Sequence, residues 1–346
     1  MRSRMLIVLF ISLVTVLSVL SADVFAQGRE LRINGAGASF PFPLYSAWFR
    51  HYNRITPGVR ISYQSLGSGA GVRNLINRTV DFAASDAAMT DEEIAQVQGG
   101  VVILPMTAGE IVLAYNLPGV EGLRLPREVY PLIFAGEVDR WNDPRIVEAN
   151  PGTTLPDRQI RVVRRSDSSG TTFVFTKHLS EISEVFRERV GTGTSVSWPN
   201  RPNIIGAPRN DGVMAQINQI EGSIGYVEYF FATSTGAPVA LLQNKAGEFV
   251  APSDESGQAA LAGADLSGDD LRIWVTDPAD PKAYPIVTFT WMLFFRQHGN
   301  DLIQEALRNF VTWAMDEGQG KATDMGYIPL PEVVIKRVLE EAPNIR

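Results

Sequence analysis

An α/β fold with mainly parallel sheets is the fold class that this sequence predicts, on two observations. Short strand patterns alternate with amphipathic helix patterns from residue 31 onwards, and a strand-helix-strand order leads to parallel pairing within one sheet. The chain also has 346 residues of near-average composition, of which 45% are hydrophobic. That length is sufficient for two domains that each bury a core.

The first elements follow from the spacing of apolar residues. Residues 31–34 and 60–63 are predicted to be short strands. Between them, Leu44, Trp48 and Tyr52 recur at a spacing of four, as on one face of a helix. After the second strand, four residues fall at i, i+3, i+4 and i+7 and predict another helix: Val72, Leu75, Ile76 and Thr79.

The later elements are predicted in the same way. Apolar runs predict buried strands at residues 101–104, 111–115, 160–163 and 286–295, and helical spacing predicts a helix over residues 302–315. Stretches rich in glycine, proline and asparagine predict loops near 116–126, 150–158 and 199–212, and residues 257–280 are predicted to be a polar connection.

Three short segments, each placed like the start of a helix, carry glycine and small hydroxyl residues: 35–41, 67–71 and 167–172. Amides in the first turn of a helix have no intrahelical acceptor, and the positive end of the helix dipole lies beside them. With Ser and Thr hydroxyls nearby, such a terminus binds oxyanions. Three of them predict an oxyanion cage, meaning a set of donors that surrounds a small tetrahedral anion.

Each segment also has a purely structural interpretation. Glycines after strands often serve only tight turns, and Ser39 and Ser68 could be plain helix N-caps. The third segment favours binding more strongly, because Arg165 and Asp167 flank its run of hydroxyl residues. A guanidinium offers a planar fork that matches phosphate geometry, and a neighbouring acid holds it in place.

Asp86 is an acid among small residues, where a helix N-cap or a solvated loop acid is the structural alternative. Inside an oxyanion cage, an ionised carboxylate only accepts hydrogen bonds, so it favours an anion that still carries a proton. Phosphate near neutral pH keeps a P–OH group, whereas sulfate has none. Asp86 therefore predicts a discrimination of roughly 10³-fold or more between these anions.

The first residues predict export. Arg2 and Arg4 precede an uncharged apolar run, and small residues at 24 and 26 provide a cleavage site, which predicts a signal peptide over residues 1–26. An uncleaved signal anchor is the alternative, although the run is short for a membrane span. The chain has no cysteine, which excludes disulfides, thiolate metal sites and lipid attachment at cysteine. We expect a soluble protein of an exported compartment.

Charge and motifs argue against several other classes of protein. The formal net charge of −7 disfavours nucleic acid and acidic membranes as partners. A phosphatase or serine hydrolase would need an activated nucleophile with a base, but the three histidines, His51, His178 and His298, occur in unrelated contexts. The sequence has no Gly-x-Ser-x-Gly elbow, no Gly-Lys-Ser/Thr loop and no His/Asp cluster. We therefore expect no catalytic residue, metal or cofactor.

Five motifs resemble signatures of the periplasmic phosphate-binding proteins of PstS type: NGAGASFP (34–41), YQSLGSGAG (63–71), VDFAASDA (80–87), RRSDSSGT (164–171) and GSIGYVEY (222–229). The resemblance implies a two-lobed periplasmic binding protein fold of class II type, with inorganic phosphate in the interlobe cleft. It also implies delivery to an ABC permease of the inner membrane. Lobe I is expected at residues 27–107 and 285–346, and lobe II at 108–284.

The resemblance also implies roles for single residues. Ser39, the Phe40 amide, Ser68 and Asp86 are expected to bind phosphate from lobe I. Arg165, Ser169, Gly170 and Thr171 are expected to bind it from lobe II, with Asp167 paired to Arg165. Serine stands at 39 where the family commonly has threonine, and residues 67–71 read GSGAG where GSSGG is more usual. Both departures keep the hydroxyl at the matched position.

Two alternatives stay open at this point. The chain could bind another oxyanion, such as sulfate, molybdate or tungstate, or it could use bound phosphate for sensing. Within the uptake interpretation, we expect a periplasmic protein that is a monomer when free.

Overall fold

The computed structural model describes residues 30–266, 268 and 270–346, and the predicted signal peptide at 1–26 lies outside them. Its strands are β1 (Leu31–Gly37), β2 (Val59–Ser65), β3 (Phe82–Ser85), β4 (Val101–Asn116), β5 (Arg124–Leu125), β6 (Arg161–Arg165), β7 (Ile204–Ala207), β8 (Ser223–Glu228), β9 (Leu241–Gln243), β10 (Phe249–Val250) and β11 (Val287–Phe295). Its α-helices are α1 (Phe42–Ile55), α2 (Ser68–Ile76), α3 (Asp91–Ala95), α4 (Tyr130–Phe134), α5 (Pro144–Ala149), α6 (Gly170–Ile182), α7 (Glu184–Arg189), α8 (Arg209–Gln219), α9 (Tyr229–Thr233), α10 (Asp254–Leu261), α11 (Asp301–Met315), α12 (Glu317–Asp324) and α13 (Glu332–Glu341).

Eight strands form one mixed sheet in the order β2-β1-β3-β11-β4-β8-β6-β7. Neighbouring strands are parallel in both outer parts, where β1 pairs with β2 and β3, and β6 pairs with β7 and β8. At the centre, β4 and β11 run antiparallel to each other and to their outer neighbours. The α/β class is confirmed, and parallel pairing predominates on either side of the two central strands.

Strand β4 joins the two halves of this sheet. Its first part, up to Glu110, pairs with β11, and its second part, from Ile111, pairs with β8. Two separate strands were predicted here, which is wrong, because the residues between them are also paired and buried. Pro105 lacks an N–H, and it lies at a shift in register opposite Thr290 and Trp291, which accommodates it within a central strand.

Helices from both ends of the chain pack together on the half that begins with β1. The indole N–H of Trp48 in α1 donates to the Gly318 carbonyl in α12 over 2.8 Å, and the ring of Phe310 in α11 lies 5.0 Å from that of Phe49. The C-terminal helices therefore complete the first core. In the other half, α6 packs on β8, with the Phe175 ring stacked 4.2 Å from the Tyr226 ring.

The other predicted elements are confirmed at their ends within a few residues, with four exceptions. The segment 116–126 was predicted as a loop but contains the short strand β5, which pairs with β9. Thr79 is exposed and lies beyond α2, which ends at Ile76. The segment 199–212 was predicted as a loop but contains β7 and the start of α8, because its proline and asparagine serve a strand-helix turn. The segment 257–280 begins inside α10, which Ser253 caps. Among the residues described, no helix is long and apolar enough to cross a membrane.

Candidate anion-binding site

The carboxyl ends of strands from both halves of the sheet carry the predicted site residues. Ser39 follows β1 and Asp86 follows β3, which are parallel neighbours, whereas Arg165 ends β6 in the other half. Ser68 begins α2, and Ser169, Gly170 and Thr171 form the start of α6. The side chains of this set are almost completely buried, each residue at most 3% exposed: Ser39, Ser68, Asp86, Arg165, Ser169 and Thr171.

Asp86 lies at the centre of the cluster and accepts hydrogen bonds from both halves of the molecule. Its Oδ1 accepts from the Thr290 hydroxyl over 2.9 Å, and its Oδ2 accepts from the Thr171 hydroxyl over 3.2 Å. Its backbone amide donates to Ser68 Oγ over 3.2 Å. Burial raises the pKa of Asp86 to about 6, although the Thr290 hydroxyl and the Arg165 charge lower it in part. The carboxylate is therefore mainly ionised at neutral pH.

Arg165 is held as a planar fork by Asp167. Its Nε donates to Asp167 Oδ1 over 2.8 Å, and its Nη2 donates to Asp167 Oδ2 over 2.5 Å. The remaining Nη1 donates to Thr171 Oγ1 over 3.3 Å, so this edge of the guanidinium faces the cluster. Burial acts to raise the pKa of Asp167, but the hydrogen bonds and charge of Arg165 outweigh burial and lower it. Asp167 is thus ionised at neutral pH.

The hydroxyl residues have distinct positions. Ser169 caps α6, since its Oγ accepts from the Thr172 amide over 3.0 Å. This leaves the amides of Gly170 and Thr171 in the first turn without an intrahelical acceptor. Phe40 is buried just ahead of α1, and its carbonyl accepts from the Tyr327 hydroxyl over 2.7 Å.

The start of α2 and the segment before α6 are in direct contact across the cleft. The Gly69 amide donates to the Ser168 carbonyl over 3.1 Å. A Cβ at Gly170 would lie 2.5 Å from Ser68 Oγ and 2.7 Å from the Asp86 Cβ, closer than real Cβ atoms approach. Glycine at 170 is therefore what allows the two halves to close on each other here.

Two residues of the cluster were missed by sequence reasoning. Asn210, at the start of α8, is fully buried, and its side-chain amide donates to Ser39 Oγ over 3.0 Å. Thr290 reaches Asp86 from the centre of β11. A signal existed for each, because Val213 and Ile217 continue a helical spacing after Asn210, and Thr290 is a polar residue inside an apolar strand run.

The arrangement is rich in donors and has one ionised acceptor without a cation of its own. The three histidines lie elsewhere, with His51 stacked on Trp313, His178 bonded to the Tyr130 hydroxyl, and His298 beside Asp81. Within residues 30–346, leaving out 267 and 269, no group of three or more His, Cys, Asp or Glu side chains has a geometry that could hold a metal ion. The site can therefore enclose an oxyanion, and no histidine takes part in it.

Comparison with known proteins gives three kinds of match. The family model of the PBP superfamily domain matches residues 25–317. The phosphate-binding protein PstS of Pasteurella multocida (strain Pm70) is 40% identical over 325 residues, which cover 93% of this chain and 93% of the relative. The protein of the same name from Xylella fastidiosa (strain 9a5c) is 39% identical over 315 residues, covering 90% of this chain and 85% of the relative.

Solved structures share the fold. A phosphate-binding protein from Stenotrophomonas maltophilia superposes with a TM-score of 0.69 at 23% identity, covering 90% of this chain and 94% of that chain. A high affinity periplasmic phosphate-binding protein (PfluDING) bound with phosphate has a TM-score of 0.71 at 22% identity, covering 89% and 93% of the two chains. The similarity extends over both halves of the molecule.

Proposed function

Because this chain belongs to the PBP superfamily and, within it, to the PstS phosphate-binding proteins, we propose that it captures inorganic phosphate between its two lobes and delivers it to an ABC permease for uptake. The observation that carries the ligand assignment is Asp86, a buried carboxylate among donors. An ionised acceptor in an oxyanion site favours a ligand that still has a proton to donate. Phosphate meets this requirement at neutral pH, and sulfate does not.

The proposed ligand set combines the two lobes. Ser39, the Phe40 amide, Ser68 and Asp86 contribute from lobe I. Arg165, Ser169 and the first amides of α6, at Gly170 and Thr171, contribute from lobe II. Arg165 supplies the positive charge, and Asp167 fixes its orientation. The helix N-termini supply amides and the positive ends of their dipoles.

Capture requires the lobes to move, and the change of pairing partner along β4 supports a place for the hinge. The pairing partner of β4 changes between Glu110 and Ile111, and the Ile111 amide donates to the Ile286 carbonyl just ahead of β11 over 2.9 Å. We place the hinge at these two crossings, close to the expected lobe boundaries at 107/108 and 284/285. Ligand contacts from both lobes favour the closed form, because only closure completes the donor set.

The remaining parts of the proposal concern the cellular context. The relatives are named phosphate-binding proteins, and we propose that this chain likewise binds without catalysis. It acts in the periplasm after removal of residues 1–26, is a monomer when free, and presents its closed form to an inner-membrane permease.

Titration calorimetry tests the ligand assignment. The purified protein is unfolded and refolded to strip any carried ligand, then titrated with phosphate and, separately, with sulfate. We expect tight one-to-one binding of phosphate and no heat with sulfate. Heat with sulfate or molybdate but none with phosphate would overturn the assignment, and with it the role given to Asp86, while leaving the fold unaffected.

A further inference from the structure

The start of α8 places Asn210 between the two lobes, directly behind the predicted phosphate ligands. The Asn210 backbone amide donates to Ser39 Oγ over 3.2 Å, and its side-chain Nδ2 donates to the same oxygen over 3.0 Å. The second hydrogen of Nδ2 is directed to Thr171 Oγ1 over 3.4 Å. One side chain therefore bonds a hydroxyl of each lobe. Asn210 is fully buried, so water does not compete for these bonds.

The orientation of the Asn210 amide group is determined by its other neighbour. The backbone amide of Glu228, at the end of β8, donates to Asn210 Oδ1 over 3.1 Å. A backbone N–H can only donate, so the side-chain atom that faces it is the oxygen. The NH₂ group must then face Ser39 and Thr171. Because Glu228 pairs with Ile111 at the proposed hinge, this contact also fixes Asn210 relative to the hinge.

The donors of Asn210 determine which way the protons of the Ser39 and Thr171 hydroxyls point. A hydroxyl oxygen accepts at most two hydrogen bonds and donates one. Ser39 Oγ accepts both of its bonds from Asn210, so its proton is free to point into the cleft. Thr171 Oγ1 accepts from Asn210 and from Arg165 Nη1, so its proton is directed to Asp86 Oδ2.

We propose that Asn210 is a positioning residue that sets the direction of the hydrogen bonds in the phosphate site. By donating to Ser39 and Thr171, it makes Ser39 a donor toward the anion and keeps Thr171 a donor toward Asp86, so that Asp86 stays an acceptor. Its bonds to Ser39 also connect lobe II to lobe I in the closed form. This inference rests on the proposed function, because the anion it serves is phosphate.

A double-mutant cycle with Ser39 tests the proposal. Phosphate dissociation constants are measured by calorimetry for the parent, Asn210→Ala, Ser39→Ala and the double variant. Loss of an oriented hydrogen bond to a charged ligand predicts that Asn210→Ala weakens binding about tenfold or more. In the Ser39→Ala background, the same change is expected to weaken binding by a factor at least about threefold smaller than in the parent, because one of the two hydroxyls through which it acts is gone.

Asn210→Asp provides a second variant, because it is isosteric and keeps the acceptor for the Glu228 amide. Its second oxygen would accept from Ser39 and Thr171 and would turn their protons away from the anion and from Asp86. We expect a larger loss of affinity than for alanine, whereas a role in packing alone predicts a smaller loss. The added charge also repels the anion, so Asn210→Asp is measured in the Ser39→Ala background as well. If Asn210→Ala does not fold, the cycle of Asn210→Asp with Ser39→Ala takes its place.

Asn203→Ala is the matched control. Asn203 is also a buried asparagine of lobe II, but its Nδ2 donates to the Ile160 carbonyl, away from the site. We expect it to lower the melting temperature and leave phosphate affinity unchanged. The proposal would be overturned if Asn210→Ala weakened phosphate binding by the same factor in both backgrounds. It would also be overturned if Asn210→Ala left the phosphate affinity of the parent unchanged. If the parent binds another oxyanion and not phosphate, the proposed function fails instead, and the cycle run with that anion still tests Asn210.

Discussion

Replacing Asp86 by asparagine removes the one ionised acceptor of the site that has no cation of its own and leaves the shape of the side chain unchanged. The carboxylate accepts from Thr290 and Thr171 over 2.9 and 3.2 Å and is almost completely buried. A fully deprotonated anion would face it with no proton between the two acceptors. The asparagine NH₂ group can instead donate, so Asp86→Asn should relax the preference against sulfate.

The size of the effect follows from the hydrogen-bond energies. A hydrogen bond to a charged group contributes about 1.5–3 kcal/mol, and leaving a buried polar group without a partner costs about 1–3 kcal/mol. For sulfate in the parent site both terms apply, which amounts to roughly 10²- to 10⁴-fold in affinity. We therefore expect Asp86→Asn to raise the ratio of sulfate to phosphate affinity by at least about 100-fold.

Calorimetric titration of both anions against parent and variant measures this ratio. Asp81→Asn is a suitable control, because Asp81 lies in the same segment but accepts from the Asn34 amide and neighbours His298. The control should leave both affinities unchanged. If Asp86→Asn still rejects sulfate as strongly as the parent does, selectivity does not arise from the charge of Asp86, and the reasoning is refuted.

Three other changes test the lobe contacts and the buried charges. Arg165→Ala removes the planar fork and should weaken phosphate binding about 100-fold or more, measured by calorimetry, with a cooperative melting transition retained. Gly170→Ala places a Cβ 2.5 Å from Ser68 Oγ; relieving such overpacking costs about 1–3 kcal/mol, so closure and phosphate affinity should fall roughly tenfold or more. Burial raises the pKa of Glu110 to about 8, so the folded state binds more protons than the unfolded state between about pH 4.5 and 8. Stability should fall across this window by up to about 1.4 kcal/mol per pH unit from this group, and urea midpoints for Glu110→Gln should fall less steeply.

Each of these changes has a matched control in this chain. Arg187→Ala removes an arginine that donates to the Ser180 carbonyl outside the site, and it should leave phosphate affinity unchanged. Gly320→Ala adds a Cβ where no atom lies within 4 Å, and small-angle scattering should show normal closure with phosphate. Glu255→Gln changes an exposed acid next to the segment that contacts Glu110 and should keep the parent pH slope. Equal effects in a change and its control would contradict the corresponding assignment.

The sequence predicted the elements whose signals are local. Ser39, Ser68 and Ser169 were located near helix starts because turn and capping preferences act over a few residues. The N-cap alternative for Ser39 and Ser68 is wrong, since Pro41 and Gly67 hold those positions, and only Ser169 caps its helix. Strand β1 and helix α1 were found from residues that alternate or recur every four positions. Predictions were wrong where local signals conflict with tertiary pairing. Two strands were predicted at 101–104 and 111–115, but pairing with β11 and β8 keeps β4 one continuous strand.

The sequence by itself determined the α/β class, the donor-rich helix starts and the presence of an acid and an arginine suited to an oxyanion. Only the tertiary structure decided which groups surround that acid and in which direction their hydrogen bonds point. Asn210 meets Ser39 across 171 positions of the chain, and Thr290 meets Asp86 across 204. No local preference encodes such contacts, because they form only when separate elements pack together and bury polar groups that must then find partners.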